Sequence, residues 1–280
     1  MRRHRTGAQV IELLAADWNH WPDGLSPAEI ALTAATAGVN GLELGVYDTD
    51  VELAPDRLAE WRRLGEQHGV PIRMLLYSMT PERWPHGGLT SDIERDRLVQ
   101  QIGTLLEIAS GLGLRTVGLW PGADFPDADR GAYLTAVSQL SVLAHKAGIR
   151  IAIEPKPGTL VATVGDIATF GGEVAKADSI GVLLDIGHEF AAGRDPAPIV
   201  STLGQRLFHV HLGDSDGDPD ADLPPGRLHP LDPFLAALDS VGYDGAMSPD
   251  AYGAVASHSM TGAEALAETV QRVASYNAAK

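Results

Sequence analysis

Residues 149–154, Ile-Arg-Ile-Ala-Ile-Glu, are a short apolar run that closes on a carboxylate. The same pattern recurs at 180–185, Ile-Gly-Val-Leu-Leu-Asp, and a similar run at 207–212, Leu-Phe-His-Val-His-Leu, carries two histidines instead of a carboxylate. Runs of about four to eight residues rich in Val, Ile and Leu are typical of buried strands. The sequence predicts eight strands in all, because further runs of this kind occur at 10–14, 41–44, 71–76, 116–120 and 245–248.

Longer segments of helical period separate these runs. Glycine can end a helix in the left-handed conformation, and this role is predicted for Gly38, Gly69, Gly113, Gly148, Gly204 and Gly242. Capping boxes predict helix starts at 26–29 and 91–94, where Ser is followed three residues later by Glu. Alternating strands and helices imply parallel strands joined by right-handed crossovers. Eight such units predict an α/β protein with a single (β/α)8 TIM barrel, spanning residues 1–280 as one domain.

The composition narrows the classes of function. The chain has 37 acidic and 21 basic residues, and its net charge of −16 opposes non-specific attraction to nucleic acid or anionic lipid. It has no cysteine, which excludes disulfides, thiolate metal sites and a Cys nucleophile. No apolar run approaches the length of a membrane span. The dinucleotide-binding motif G-x-G-x-x-G does not follow a predicted strand, and the P-loop motif G-x-x-x-x-G-K-S/T does not occur. We therefore expect a cytoplasmic protein that binds a small molecule, not nucleic acid or membrane.

Polar residues stand at or just past the ends of the last four predicted strands: Glu154, Asp185, His211 and Asp250. We expect them to meet, because active sites of (β/α)8 barrels lie at the carboxyl ends of the strands. Three carboxylates around one imidazole crowd like charges together, and a divalent cation would relieve this. The oxygen-rich set favours Mn²⁺, Mg²⁺ or Co²⁺ and leaves Zn²⁺ possible. Any one of these carboxylates alone is more often a helix cap or an arginine partner, so the prediction depends on their joint occurrence.

Other residues near this set allow both a functional and a structural role. His209 and His211 lie two apart on one strand and share a face, so one of them can be an interior histidine packed beneath the other. Glu43 lies within the second strand and is interpreted as a possible buried partner for a basic group. Three tryptophans follow strands, where an indole either covers a sugar ring or packs the barrel top: Trp18, Trp84 and Trp120.

Four segments carry a resemblance to a known family: 153–157 (Ile-Glu-Pro-Lys-Pro), 184–188 (Leu-Asp-Ile-Gly-His), 209–214 (His-Val-His-Leu-Gly-Asp) and 242–245 (Gly-Tyr-Asp-Gly). With these segments the chain resembles the xylose isomerase-like TIM-barrel superfamily. That group includes sugar isomerases, ketose 3-epimerases, inosose dehydratases and type IV AP endonucleases. The resemblance follows the element order of nearly the whole chain and is strongest from 154 to 250.

The resemblance implies roles for individual residues. The family's metal ligands fall on Glu154, Asp185, His211 and Asp250. His188 and Arg227 match substrate-binding positions, and Trp18 and Trp120 are the aromatic candidates for that role. Lys156 matches a lysine that polarises a substrate carbonyl, with a solvated loop lysine as the alternative.

The sequence departs from the family pattern at two places. The fourth ligand is usually Glu, and Asp250 is one methylene shorter. Unless the backbone moves inward, three ligands plus water would hold the metal, or the base would be displaced. Ketose 3-epimerases usually carry a further carboxylate soon after the fifth-strand Glu, and 156–160, Lys-Pro-Gly-Thr-Leu, has none. This second departure weakens that particular assignment.

The chemistry expected from this set is proton transfer at carbon. A divalent ion bound to a ketone and its neighbouring hydroxyl acidifies the C–H between them, and Glu154 and Asp250 are the predicted acid–base pair. This predicts a sugar isomerase or epimerase acting on a ketose or polyol ketone through an enediolate, with an inosose-type dehydratase as the alternative. The acidic charge and the lack of His after the second strand disfavour an abasic-DNA phosphodiesterase. A non-catalytic partner subunit and a homo-oligomer remain open.

Overall fold

The computed structural model describes residues 11–121, 128–171 and 177–279. Eight parallel strands form a closed barrel in which each strand pairs with its neighbours in chain order and the last pairs with the first. The strands are β1 (Glu12–Ala16), β2 (Gly41–Val46), β3 (Ile72–Ser78), β4 (Thr116–Trp120), β5 (Arg150–Ile153), β6 (Ile180–Asp185), β7 (Leu207–Leu212) and β8 (Ala246–Pro249). The predicted (β/α)8 TIM barrel is therefore confirmed.

Helices surround the barrel and connect its strands. In the described residues they are α1 (Pro27–Ala37), α2 (Thr49–Glu52), α3 (Pro55–His68), α4 (Arg95–Gly111), α5 (Arg130–Ala147), α6 (Val164–Gly171), α7 (Ile186–Ala191), α8 (Pro196–Leu203), α9 (Asp232–Val241), α10 (Tyr252–Ala256) and α11 (Gly262–Ala278). Short 3-10 segments follow β1 and precede β6 and β7. Within these ranges, no helix is both long and apolar enough to cross a membrane.

Alternation along the strands separates the outer core from the barrel interior. In β6, Val182 and Leu184 join the large cluster packed beneath the helices, whereas Leu183 joins a smaller cluster that includes Phe208. The register between β6 and β7 shifts by one residue after Val182, so Leu183 pairs with His209. A shift of this kind changes which side chains of a strand face inward. Both His209 and His211 lie inside the barrel as a result.

Two local predictions differ from the structure. The capping box at 26–29 is confirmed, but the one at 91–94 is wrong because α4 begins at Arg95 without a side-chain cap. The Glu94 carboxylate instead accepts hydrogen bonds from the backbone N–H groups of His86 and Gly88. All six predicted glycines have positive φ, but Gly204 has ψ of −119° and leads into a 3-10 turn instead of a left-handed cap. Residue 10 of the first predicted strand lies outside the described residues.

Candidate metal centre and cavity

His211 lies at the centre of the candidate metal site. It is fully buried, and the strand register places it beside Asp185 on β6 and Ser248 on β8. Its Nδ1 lies 3.2 Å from Glu154 Oε1, 3.8 Å from Asp250 Oδ2 and 4.0 Å from Asp185 Oδ2. One donor atom from each of these four residues lies within 4.8 Å of the others. That spread suits atoms that each lie about 2.0–2.5 Å from one shared ion.

The second ring nitrogen of His211 faces a buried carboxylate. Glu43 is 0% exposed, and its Oε1 lies 3.3 Å from His211 Nε2. Its Oε2 lies 2.8 Å from His209 Nε2 and accepts a hydrogen bond from the Ser248 hydroxyl. The interpretation of Glu43 as the buried partner of a basic group, with His209 as the interior histidine, is confirmed.

The contact with Glu43 decides which nitrogen of His211 can bind a metal. Because a carboxylate only accepts hydrogen bonds, His211 Nε2 keeps a proton for Glu43, and a bound ion would displace the proton from Nδ1, the nitrogen that faces the other three residues. Metal-binding histidines are typically oriented by a carboxylate in this way. The donor set therefore fits a divalent ion on chemical grounds.

Asp185 serves a helix and the cluster with different oxygens. Its Oδ1 caps α7 by accepting from the N–H groups of Gly187, at 2.6 Å, and His188, at 3.2 Å. Its Oδ2 is the oxygen that faces His211. Burial raises the pKa of Asp185 to about 6. The charge of His188 acts to lower this pKa, and the negative charge of Glu154 acts to raise it. Crowding of this kind is what a divalent ion would relieve.

Asp250 reaches the cluster although its side chain is short. Its N–H donates to the carbonyl of Leu212 at 3.0 Å, which holds the chain beyond β8 against β7. The Asn19 side chain hydrogen-bonds to the peptide groups on both sides of Asp250, donating to the carbonyl before it at 2.8 Å and accepting from the N–H after it at 3.1 Å. Trp18 Nε1 donates to Asp250 Oδ1 at 3.2 Å. With the backbone held in this position, the Asp250 carboxylate lies 3.8 Å from His211 Nδ1 although it is one methylene shorter than a glutamate.

Glu154 follows β5 and is almost completely buried. Burial by itself would raise the pKa of Glu154. The charge and the hydrogen bond of His211 outweigh this effect, so the pKa of Glu154 lies below its usual value. For His211 the directions are reversed: burial would lower its pKa, but the charges and hydrogen bonds of Glu154 and Glu43 raise it well above its usual value. The Glu154 carboxylate is accordingly ionised at neutral pH.

A cavity of about 600 Å³ opens over the cluster. Glu154 and Asp250 line it, so two members of the cluster are accessible from this space. Its aromatic walls are Trp18, Trp21, Tyr47, Trp120 and Tyr252. A concave site with apolar walls and a few convergent polar groups is typical of small-molecule binding.

Lys156 and His188 line the same cavity. Lys156 Nζ lies 2.7 Å from Asp220 Oδ1 and 5.3 Å from the ring centroid of Trp120. Burial lowers the pKa of Lys156, but the hydrogen bond and charge of Asp220 raise it above its usual value. His188 Nδ1 is 3.2 Å from the carbonyl oxygen of Pro155, which can only accept, so Nε2 is left for a ligand.

The structure does not bring Arg227 to the cavity. Its guanidinium pairs with Glu268 of α11 at 2.8 Å, and Arg227 is absent from the cavity walls in the described part of the chain. The substrate-binding role predicted for it has no support in this arrangement. Trp84 is also not a wall residue: it is 0% exposed, packs edge-on against Tyr77 at 6.2 Å and lies under the Arg97 guanidinium. It packs the barrel top.

Several cavity residues escaped the sequence analysis. Asp220 and Asp222 belong to the loop after β7, Tyr47 follows β2, and Tyr252 is the first residue of α10. Burial, together with the charges of Asp250 and Asp185, raises the pKa of Asp222 to about 8. The signal in the sequence was an Asp-rich stretch directly after His211, but spacing alone does not show which of its aspartates turn inward.

The fold and the cluster define a class of protein: a (β/α)8 barrel with a candidate divalent-metal centre at the carboxyl ends of its strands. The particular family follows from comparison with known proteins. Residues 32–274 match the xylose isomerase-like TIM barrel family, and the chain belongs to that family.

Solved structures share the fold over nearly their whole length. A D-allulose 3-epimerase from Methylomonas sp. is 16% identical, with a TM-score of 0.73 over 96% of this chain and 98% of that chain. An IOLI protein with a bound zinc atom is 18% identical, with a TM-score of 0.72 over 95% and 98%. An AP endonuclease of family 2 from Brucella melitensis is 18% identical, with a TM-score of 0.73 over 94% and 99%. At these identities the likeness shows the fold.

Proposed function

We propose that this protein is a divalent-metal-dependent sugar isomerase or epimerase that acts on an unphosphorylated ketose or related polyol ketone. The observation that carries this proposal is the convergence of Glu154, Asp185 and Asp250 on Nδ1 of His211 beneath an aromatic cavity. The same fold is found in a D-allulose 3-epimerase and in an IOLI protein that holds zinc, which supports a metal-dependent reaction on a sugar. The donor set is compatible with the favoured ions Mn²⁺, Mg²⁺ and Co²⁺ and also with Zn²⁺.

Glu154 and Asp250 are the residues proposed to move the proton. When bound, the ion would polarise a ketone and its neighbouring hydroxyl. Glu154 is ionised, lines the cavity and acts as the base that takes the proton from the carbon between these groups. Asp250 enters the cavity from the end of β8 and is positioned to return a proton. Return to the same carbon from the other face gives epimerisation, and return to the adjacent carbon gives isomerisation.

The remaining wall residues would hold and orient the substrate. Lys156 Nζ would donate to a substrate oxygen and takes the carbonyl-polarising role, and His188 Nε2 is the proposed second contact to the substrate oxygens. Trp18 and Trp120 supply flat apolar surfaces on which the carbon face of a sugar can pack. Trp18 has a second task, because its indole N–H fixes one oxygen of Asp250.

The charges of the cavity favour an unphosphorylated substrate. Among the described wall residues there is no arginine, and the single lysine, Lys156, is already paired with Asp220. Glu154, Asp222 and Asp250 add further carboxyl groups to the same walls. A phosphate would meet no unpaired side-chain cation of the Lys or Arg type and would lie close to like charge.

The direct test is deuterium uptake at carbon in D₂O. The metal-loaded protein is incubated with a panel of ketoses, ketose phosphates and inososes, and NMR identifies both the exchanged carbon and the product. We expect exchange on an unphosphorylated ketone, with an epimer or isomer as the product. Loss of water would identify a dehydratase instead, and absence of exchange across the panel would contradict the proposal.

Two variants locate the base. Glu154→Gln should abolish exchange while the circular dichroism spectrum stays unchanged. Glu12→Gln is the control: Glu12 pairs with Arg73 at the start of β1, at the opposite mouth of the barrel, and its loss should leave exchange intact. Turnover retained in Glu154→Gln would exclude Glu154 as the base.

A further inference from the structure

A strap formed by residues 214–223 contributes Asp220 and Asp222 to the walls of the cavity. Its two ends are joined by two backbone hydrogen bonds of 2.7 and 2.9 Å. On one side Asp220 pairs at 2.7 Å with Lys156, which follows β5. On the other side Asp222 Oδ2 accepts from the N–H of Gly253 on α10, at 3.1 Å. The strap is therefore tied to both sides of the cavity.

Gly253 lets the strap sit close to α10. A Cβ at this position would overlap the carbonyl oxygen of Asp220 and would lie 2.7 Å from that of Ala221. Any side chain at 253 would consequently displace the strap. This close seating shows that the strap has a defined position against the wall formed by the start of α10.

The backbone of Asp222 is in an uncommon conformation. Its φ of 37° lies in the left-handed region, which residues other than glycine rarely adopt and which aspartate tolerates better than most. Such conformations persist where the surroundings enforce them, and they are concentrated at functional sites. Here the surroundings are the hydrogen bond to Gly253 and the paired ends of the strap, and the Asp222 side chain lines the cavity.

We propose that Asp222 is a specificity-determining residue whose carboxyl group forms a hydrogen bond with a substrate hydroxyl away from the reacting carbons. Its Oδ2 is fixed by Gly253, whereas Oδ1 has no hydrogen-bond partner within residues 11–121, 128–171 and 177–279. The inference rests on the proposed function and adds the contact that selects among polyols.

Binding of an unreactive ligand tests this contact apart from catalysis. A sugar alcohol has the hydroxyls but no ketone, and its dissociation constant is measured by titration calorimetry on the metal-loaded protein. Asp222→Ala should raise that constant about 10- to 100-fold. It should raise KM for the ketose in parallel and leave kcat within about threefold. Asp222→Asn, which keeps a hydrogen-bonding group at this position, should lie between Ala and the wild type.

Two further variants separate the contact from folding. Gly253→Ala moves the strap without removing a carboxyl group and should weaken binding in the same direction. Asp216→Asn changes an exposed aspartate of the same strap, whose carboxylate accepts from the N–H of Asp218, and this variant should bind as the wild type does. Thermal melts confirm that each variant is folded.

The outcomes distinguish this inference from the function beneath it. If the wild type exchanges deuterium but folded Asp222→Ala binds the sugar alcohol within twofold of the wild type, the contact is overturned and the proposed function stands. If the wild type neither binds any polyol nor exchanges deuterium, both are overturned.

Discussion

Replacing Glu43 with glutamine should weaken metal binding although Glu43 is not one of the four cluster residues. The carboxylate accepts from His211 Nε2 at 3.3 Å and from His209 Nε2 at 2.8 Å, and also from Ser248. A carboxamide has the same shape but only one accepting oxygen. If that oxygen stays with His209, the amide N–H₂ faces His211 and moves the imidazole proton to Nδ1, the atom that would bind the ion.

The size of the effect follows from the kind of partner that is lost. Replacing a carboxylate that orients a metal-binding histidine typically costs about 10- to 100-fold in metal affinity, or about 1.4–2.7 kcal/mol. The Glu43 carboxylate is 0% exposed, so water cannot take its place. Glu43→Ala should be worse, since it leaves two buried imidazoles without an acceptor, and we expect about 3–5 kcal/mol of lost stability.

The assay is the dissociation constant of Mn²⁺, measured by competition with a chelator on metal-stripped protein. The matched control is Glu189→Gln: Glu189 is also buried, but its Oε2 pairs with Arg194 at 2.5 Å. Its Mn²⁺ affinity should match that of the wild type. If Glu43→Gln is folded and binds Mn²⁺ within twofold of the wild type, then Glu43 does not set the tautomer of His211.

Three other substitutions test the surroundings of the site. Burial raises the pKa of Asp17 from 3.8 to about 8, so this carboxyl's contribution to stability is lost as the pH rises through about 8. Asp17→Asn keeps an acceptor for the Gly45 N–H, and its melting temperature should fall less than that of the wild type between pH 6 and pH 9; equal falls would contradict this. Asn19→Ala frees the peptide groups around Asp250 and should reduce Mn²⁺ affinity about tenfold, with no change refuting the positioning role. Lys156→Met should slow deuterium exchange about 100-fold and leave Mn²⁺ affinity unchanged, and exchange at the wild-type rate would remove Lys156 from the reaction.

The repeat of strand and helix is why much of the candidate site was visible in the sequence. Once eight parallel strands are recognised, the barrel places the carboxyl ends of all of them at one mouth. Glu154, Asp185 and His211 therefore have to come near one another. Asp250 was less certain, because its reach depends on the path of the chain beyond β8. That path is set by the hydrogen bond to Leu212 and by Asn19, and neither contact has a signature in the sequence.

The contacts made by loop residues could not be predicted in the same way. The local pattern at 91–94 fits a capping box, but Glu94 finds better partners in the preceding loop. Arg227 follows a plausible motif, yet its partner, Glu268, lies 41 residues further along the chain. The inward turn of Asp222 depends on Gly253, whose importance appears only when the strap is seen packed against it.

A crystal grown with Mn²⁺ and measured at a wavelength where manganese scatters anomalously tests the central claim most directly. The account predicts one ion per chain, about 2.0–2.4 Å from His211 Nδ1 and from one carboxylate oxygen each of Glu154, Asp185 and Asp250. An anomalous peak elsewhere, or none at the mouth of the barrel with millimolar Mn²⁺ present, would contradict it.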